Sequence, residues 1–313
     1  MGFEELASKT KKSKTRRLVV VGAHETTLLE AVVRAVKDGI AVPVLLGDSN
    51  EITRIADAEG IDLKGCDVED IPDARDAAEA AMEMVRAGTV EAVMKGKITT
   101  ADLMRVALNG GLRRENRLVN HVTVFEHPRL GAGKLMMLTD AGLITFPTLE
   151  QRVGIINNGV EVMRRLGVPE PRVAVLSLTE EVDEKVPSSV HAAKLKAMNI
   201  PGGELEGAGI IDGPFDLFAA VDTENAKTKG IESDVAGRAD ILHCPNAVAG
   251  NLFSKGIIYF AEQSRTGGCV VGGTVPVILL SRASSADDKY CSILLGLSCA
   301  PGLSLEAGMP PIA

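Results

Sequence analysis

The sequence has no tryptophan, only two tyrosines and seven phenylalanines in 313 residues, so it lacks the aromatic platforms on which unpaired bases stack. It also lacks an excess of positive charge. A net charge of −8 argues against a general nucleic-acid surface, yet it leaves room for a local arginine cluster that holds a small anion. No uncharged apolar run approaches the roughly 20 residues needed to cross a bilayer. The basic stretch Lys9–Arg17 leads into only a few apolar residues, Leu18–Val21, too short for a signal-peptide core and readable as a first strand. The five cysteines (Cys66, Cys244, Cys269, Cys291 and Cys299) form no CxxC pair and no zinc-like spacing. An odd, scattered set suits reduced thiols, and a cytoplasmic protein that meets neither membrane nor nucleic acid is expected.

What is present is a large apolar fraction, 45%, in a chain long enough for two domains. Short apolar runs alternate with helical patterns. Strands are expected at Leu18–Gly22, Val42–Leu46, Ala92–Lys95, Leu135–Leu138, Val173–Ser177, Ala239–Cys244 and Val275–Leu280. They are apolar on successive residues, as in strands covered on both faces. Between them, Asp73–Ala87 reads as a helix ended by Gly88, and Thr148–Leu166 as a helix opened by a Thr148/Gln151 capping box. The fold class is therefore α/β with mainly parallel sheets. Softer boundaries fall at Asp140–Pro147 and after Leu280, and the tail after Ala300 is expected to be a surface extension.

Ligands of open α/β sheets sit beyond the carboxyl ends of strands. Four segments fit. In Val93–Asp102, Lys95 ends a strand, Gly96 lets a ligand approach the backbone, and Thr99 or Thr100 opens a helix whose free N–H groups attract an anion. The spacing is not that of a Walker loop. Gly207–Phe215 is glycine-rich and, taken by itself, reads sooner as a plain turn than as a ligand loop. In His243–Leu252, Asn246 and Asn251 either face a cleft or cap a helix. In Leu280–Lys289, a strand ends in Ser281-Arg282, and the guanidinium has the charge and fork to hold phosphate bidentately. Ser285 with Asp288 also has the spacing of a helix cap, and acids in a first turn are stabilising whatever the function. His121 and His127 read as wall or structural residues, and Cys244 and Cys269 as inert buried thiols.

Together these segments resemble the phosphate acetyl/butyryltransferase family from about Leu18 to Leu297. The resemblance is carried by MKGKITTADLMR, HVTVFEHP, LTDAG, EEVDEKVPSS, GIIDGPFDLFAA, ADILHCPNAVAGNLFSK and PVILLSRASSADDK, and is closer to the butyryl branch. It implies two α/β domains, 1–143 with 281–313 and 144–280, with the active site in the cleft between them as in isocitrate and isopropylmalate dehydrogenases. It implies a homo-oligomer, a dimer or a multiple of dimers, and no tightly bound cofactor or metal. The implied reaction is acyl-CoA plus phosphate giving acyl phosphate plus CoA, by direct transfer, with butyryl or another short acyl group and acetyl as the alternative. By the same resemblance Ser281 contacts the thiol, Arg282 binds phosphate, and Asp288 is the base, with Asp287 its rival. Lys95, Gly96, Thr99, Thr100, Asn246 and Asn251 line the substrates, and Arg105 and Arg117 neutralise phosphates or lie on the surface.

A thiol near pKa 8.5 and an aspartate near 3.9 differ by about 4.6 units, about 6 kcal/mol against full proton transfer, so Asp288 reads as a group that orients the thiol sooner than as its base. Two departures from the family pattern stand out: Ser284 occupies a commonly acidic position, and Phe218 the usual aspartate position of the GPxxxDAA-like segment. Two other classes compete. A metal- and NAD-dependent decarboxylating dehydrogenase would need an aspartate cluster and a GxGxxG after the first strand, and neither is evident. A non-catalytic acyl-CoA-sensing module is disfavoured by retention of Ser281-Arg282 and by a chain that reads as unfused.

Overall fold

The computed structural model describes residues 1–131, 133–281 and 284–301. Two compact units emerge, residues 3–119 with those from 265 on, and residues 1–2 with 120–264. The change-overs fall at 119/120 and 264/265, whereas 143/144 and 280/281 are expected from the sequence. The tail beyond 301 lies outside the described residues.

The first unit opens with α1 (Phe3–Lys11), β1 (Arg16–Val21), α2 (Thr26–Lys37), β2 (Ala41–Gly47), α3 (Ser49–Glu59) and β3 (Asp67–Asp70). It continues with α4 (Ala74–Arg86), β4 (Ala92–Lys95) and α5 (Thr100–Asn109). The second unit holds β5 (Asn120–Glu126), β6 (Leu135–Thr139), α6 (Leu149–Arg165), β7 (Arg172–Leu176), α7 (Pro187–Met198) and β8 (Ile210–Phe215). Short α8 (Leu217–Val221) and α9 (Thr223–Thr228), then β9 (Ile241–His243) and α10 (Ala247–Phe260), complete it. The chain then re-enters the first unit as β10 (Arg265–Val271), β11 (Val277–Ile278) and α11 (Ala286–Ser298).

The first unit's strands lie in the order β3-β2-β1-β4-β11-β10, parallel except for β10 against β11. In β1, Leu18 to Val21 are all fully buried, because helices cover both faces and each apolar side chain gains about 2 kcal/mol on leaving water. The second unit's strands run β5-β6-β9-β7-β8, with β5 antiparallel to β6 and the rest parallel.

All seven expected strands are present, those at Ala239–Cys244 and Val275–Leu280 shortened to Ile241–His243 and Val277–Ile278. Both expected helices are present. Asp73 caps α4, and the Thr148/Gln151 capping box opens α6. Four strands are additional, each for a physical reason. β3 is an exposed acidic edge, Asp-Val-Glu-Asp, with no buried face to pattern it. β5 pairs with β6 in an antiparallel hairpin around Val122–Glu126. In β8, which takes up most of the glycine-rich 207–215 segment, Gly213-Pro214 disguises a strand paired with β7. In β10, Gly267 and Gly268 carry no apolar side chain to mark a strand. There they admit α11 instead, since a Cβ on Gly267 would stand 3.0 Å from the Cys291 carbonyl oxygen.

Candidate active site

The chain leaves β1 toward β2 and β3, then resumes on β1's other side at β4. Loops diverge at such a switch point and leave a crevice at the carboxyl edge. Here the two loops are pinned together. The Gly96 N–H donates to the Val21 carbonyl at 2.8 Å and the Lys97 N–H to the Gly22 carbonyl at 2.7 Å. A Cβ on Gly96 would lie 2.2 Å from the Gly22 oxygen, so only glycine permits this approach. Lys95 Nζ, half-buried, reaches the Gly96 carbonyl at 3.2 Å. Thr99 caps α5, receiving the Asp102 N–H at 3.1 Å and donating to its carboxylate at 2.6 Å, and Thr100 is the exposed first residue of that helix. Arg105 is committed to Asp102 at 2.7 Å on an exposed face. Arg117 is half-buried in the segment after α5.

β11 runs parallel beside β4, Ile278 opposite Met94, so Ser281 and the start of α11 belong to the same edge of the first unit. Ser281 is exposed, and Arg282 lies outside the described residues. Ser284 is buried, and its hydroxyl has no partner in the described structure. Ser285 caps α11. The Asp288 carboxylate accepts three hydrogen bonds, from the Thr266 N–H (2.9 Å), the Thr266 hydroxyl (3.0 Å) and the Ser285 hydroxyl (2.7 Å), which tie the first turn of α11 to β10. Asp287 sits between Arg265 (2.7 Å) and Arg34 (2.6 Å), and Arg34 stacks on the Tyr290 ring at 3.7 Å. Burial alone would raise the Asp287 carboxyl, but the two guanidiniums override it and hold it below the ordinary carboxylate range. A carboxylate so held is a weak base. Next to these acids, buried Lys289 reaches back to Glu25 and Thr27 at the start of α2. Of the residues singled out in the sequence, then, Lys95, Gly96, Thr99 and Thr100 share one edge with Ser281, Asp287 and Asp288.

The second unit carries its own set at the carboxyl ends of β6 and β9. The Asp140 carboxylate, buried, accepts from the N–H groups of Gly142, Leu143 and Ile144 at 2.7–2.9 Å. Asn246 caps α10 through the Ala249 N–H, and Asn251 Nδ2 lies 3.4 Å from the Ala141 carbonyl. Of the two asparagine readings, Asn246 takes the capping one. Beneath them Arg152, 5% exposed, spans the His243 ring (Nη1 to Nε2, 3.3 Å) and the Cys244 and Pro245 carbonyls. Burial lowers its guanidinium to about 10. Cys244, pushed up to about 12 mainly by burial, is a thiol rather than a nucleophilic thiolate. His127 is occupied locally, receiving the Arg129 N–H at 3.1 Å, and Phe218 is exposed on α8.

His243 and Lys289 sit inside segments that carry the resemblance, with no role read for either, whereas Arg152 and the β1 loop carry no motif in the sequence. Their one signal is position, a glycine closing the first apolar run in the β1 loop and an arginine on an otherwise apolar helical face in α6. Among the described residues no group of three or more His, Cys, Asp or Glu side chains could hold a metal ion.

A family model described as phosphate acetyl/butaryl transferase matches residues 2–80 and 64–296. The chain belongs to that family. Its members are acyltransferases, and this transferase is 40% identical over 295 residues to a phosphate butyryltransferase of Clostridium beijerinckii, covering 94% of this chain and 96% of the relative. It is 38% identical over 295 residues to a phosphate acetyltransferase of Thermotoga maritima, covering 94% and 98%. Among solved structures, a branched-chain phosphotransacylase from Enterococcus faecalis V583 superposes with a TM-score of 0.79 at 27% identity, covering 91% of this chain and 98% of that one. No helix of the transferase's described residues is long and apolar enough to cross a membrane.

Proposed function

We propose that the chain transfers a butyryl or similarly short acyl group between CoA and inorganic phosphate, directly and without an acyl-enzyme. The observation that carries this reading is the convergence of Ser281 and the α11 start with the Lys95-Gly96 loop at the carboxyl edge of neighbouring parallel strands. An oxygen of hydrogen phosphate attacks the thioester carbonyl, the carbon–sulfur bond breaks, and CoA leaves as a thiolate that takes up the proton the phosphate gives up. Arg282 holds the phosphate, Ser281 hydrogen-bonds the sulfur, and Lys95 with the N–H groups opening α5 supplies positive potential. The two arginines paired with Asp287 argue against it as the base. Asp288, engaged by three donors, positions the α11 start rather than exchanging a proton with the sulfur.

The reading includes a cytoplasmic homo-oligomer. Five free cysteines suit a reducing compartment, and Val248, Leu252, Tyr259 and Phe260 leave α10 with an exposed apolar face. Relatives named for butyryl and for acetyl transfer are similarly close, so acetyl is the alternative acyl group. Acyl groups that differ by a methylene are separated by about 1–3 kcal/mol in a pocket.

The test is phosphate-dependent CoA release from acetyl-, propionyl-, butyryl- and isobutyryl-CoA, followed with a thiol reagent and without metal or NAD. Butyryl-CoA is expected to rank first in kcat/KM. Release from none of the four would move the reading to a non-catalytic acyl-CoA sensor. Asp287→Asn and Asp288→Asn, measured separately, are expected to lower kcat through displacement of α11 while leaving the pH profile of kcat in place. A lost limb of that profile in either would make that residue the proton-transfer group instead. Arg282→Ala is expected to lower kcat/KM for phosphate about a hundredfold, the usual scale for one lost charge-stabilising donor. Unchanged phosphate kinetics would remove Arg282 from the site.

A further inference from the structure

A cavity opens beside the switch point, wholly within the first unit. It measures about 470 Å³ and is lined by His24, Glu25, Thr26, Arg54, Glu59 and Lys97, among others. None of these residues belongs to the segments that carry the family resemblance except Lys97.

Three features give the cavity its chemistry. First, the Gly22–Lys97 and Val21–Gly96 hydrogen bonds fix the His24 loop against the Lys97 loop, so the imidazole and the ammonium stand on one rigid wall. Gly47 makes room for the ring, because a Cβ there would lie 3.1 Å from His24 Nδ1. That nitrogen is buried and has no partner. Second, Lys97 is exposed to the cavity and forms no ion pair among the described residues, whereas Arg54 is committed to Glu51 at 2.9 Å. Third, Thr26 and Thr27 open α2 without a side-chain cap on their N–H groups. The N-cap residue, Glu25, is engaged elsewhere, by Lys289 and by the Thr27 hydroxyl. A twelve-residue helix therefore presents an uncapped positive end next to a free ammonium. Burial and Lys97 both lower His24, so it meets a ligand as a neutral hydrogen-bond donor while Lys97 supplies the charge. Two carboxylates oppose the charge in the lining, Glu59 at the far end of α3 and Glu25, whose charge is met by Lys289.

We propose that this cavity is a phosphoryl-group subsite, in which Lys97, His24 and the first-turn N–H groups of α2 hold a phosphate that is not the one held by Arg282, or a phosphoryl group of CoA. It rests on the transferase reading, because both substrates of that reaction carry the chemistry the cavity accepts. The volume is ample for a phosphoryl group together with part of a nucleoside.

Lys97→Met, His24→Phe and the charge-preserving Lys97→Arg separate the sources. Binding of CoA, dephospho-CoA and inorganic phosphate is measured by calorimetry, alongside KM for each in the release assay. Lys97→Met is expected to weaken at least one of the three about tenfold, with Lys97→Arg retaining most of the affinity, as for loss of one charge-assisted contact. Weakened CoA with unchanged dephospho-CoA assigns the cavity to the 3′-phosphate. Equal weakening of both assigns it to the diphosphate, and weakening of inorganic phosphate alone to that substrate. Unchanged binding of all three in both Lys97→Met and His24→Phe overturns the subsite. If the unsubstituted protein releases no CoA at all, the transferase reading fails, and the calorimetric comparison still decides the subsite.

Discussion

Lowering the pH from 7 to 5 is expected to remove about 2 kcal/mol of stability through His243 alone, a loss reaching about 4 kcal/mol by pH 3. His243 is fully buried at the end of β9, and Arg152 stands 3.3 Å from its Nε2. A guanidinium only donates, so Nε2 must accept, and the ring is neutral with its proton on Nδ1. Burial first, then Arg152 and His191, lower its pKa to about 3 from the ordinary 6.5. Between those values the unfolded chain binds a proton that the folded chain refuses. Stability therefore falls as pH falls, by about 1.4 kcal/mol per unit below 6.5. His24 and His191, lowered as well, add in the same direction. Urea unfolding at pH 7, 6 and 5 checks this against His243→Gln, whose carbonyl still accepts from Arg152 but does not titrate in this range. The variant is expected to show a flatter profile. Parallel profiles for the two proteins would place the protonated ring in a relaxed, hydrated site.

Lys289→Met is expected to cost about 3–5 kcal/mol, the scale for removing one partner of a buried ion pair. Lys289 is 3% exposed, and its ammonium joins the first turn of α11 to Glu25 and Thr27 at the start of α2. Methionine keeps most of the volume, so the loss reports the uncompensated Glu25 carboxylate rather than a cavity. Glu25→Gln in the same chain should then recover part of the loss, which a purely steric defect would not allow. The readout is the urea midpoint of each single variant and of the double variant. A Lys289→Met midpoint within error of the parent would mean that Glu25 is satisfied by water. Because α11 also carries Asp287 and Asp288, the same substitution should lower kcat more than it raises KM for acyl-CoA.

How much of this was legible beforehand varies with the kind of interaction. Contiguous apolar runs such as Leu18–Val21 announce a covered parallel strand, and local caps such as Thr148 with Gln151 announce a helix start. Both signals are written within a few residues. Strands β8 and β10 were hidden because their glycines and proline interrupt the apolar pattern, while their purpose, close approach of another element, exists only once the chain is folded. Among the candidate site residues, the sequence holds the series Ser281 to Asp288, but it ranks Asp287 and Asp288 nearly alike. They are separated by partners 22 residues or more away, Arg265 and Arg34 for one and Thr266 for the other.

From the sequence alone follow the α/β class, the family, and the segments that bring serine, arginine, lysine and threonine to strand ends, because each rests on short-range pattern and residue chemistry. Tertiary structure alone decided that Asp287 is spent on two arginines, that Arg152 lies buried against a neutral histidine, and that Lys97 and His24 share a cavity with an uncapped helix end. The reason is physical: charge, burial and hydrogen-bond partners belong to neighbours in space, and it is strand order, not spacing along the chain, that makes residues 24 and 97 neighbours.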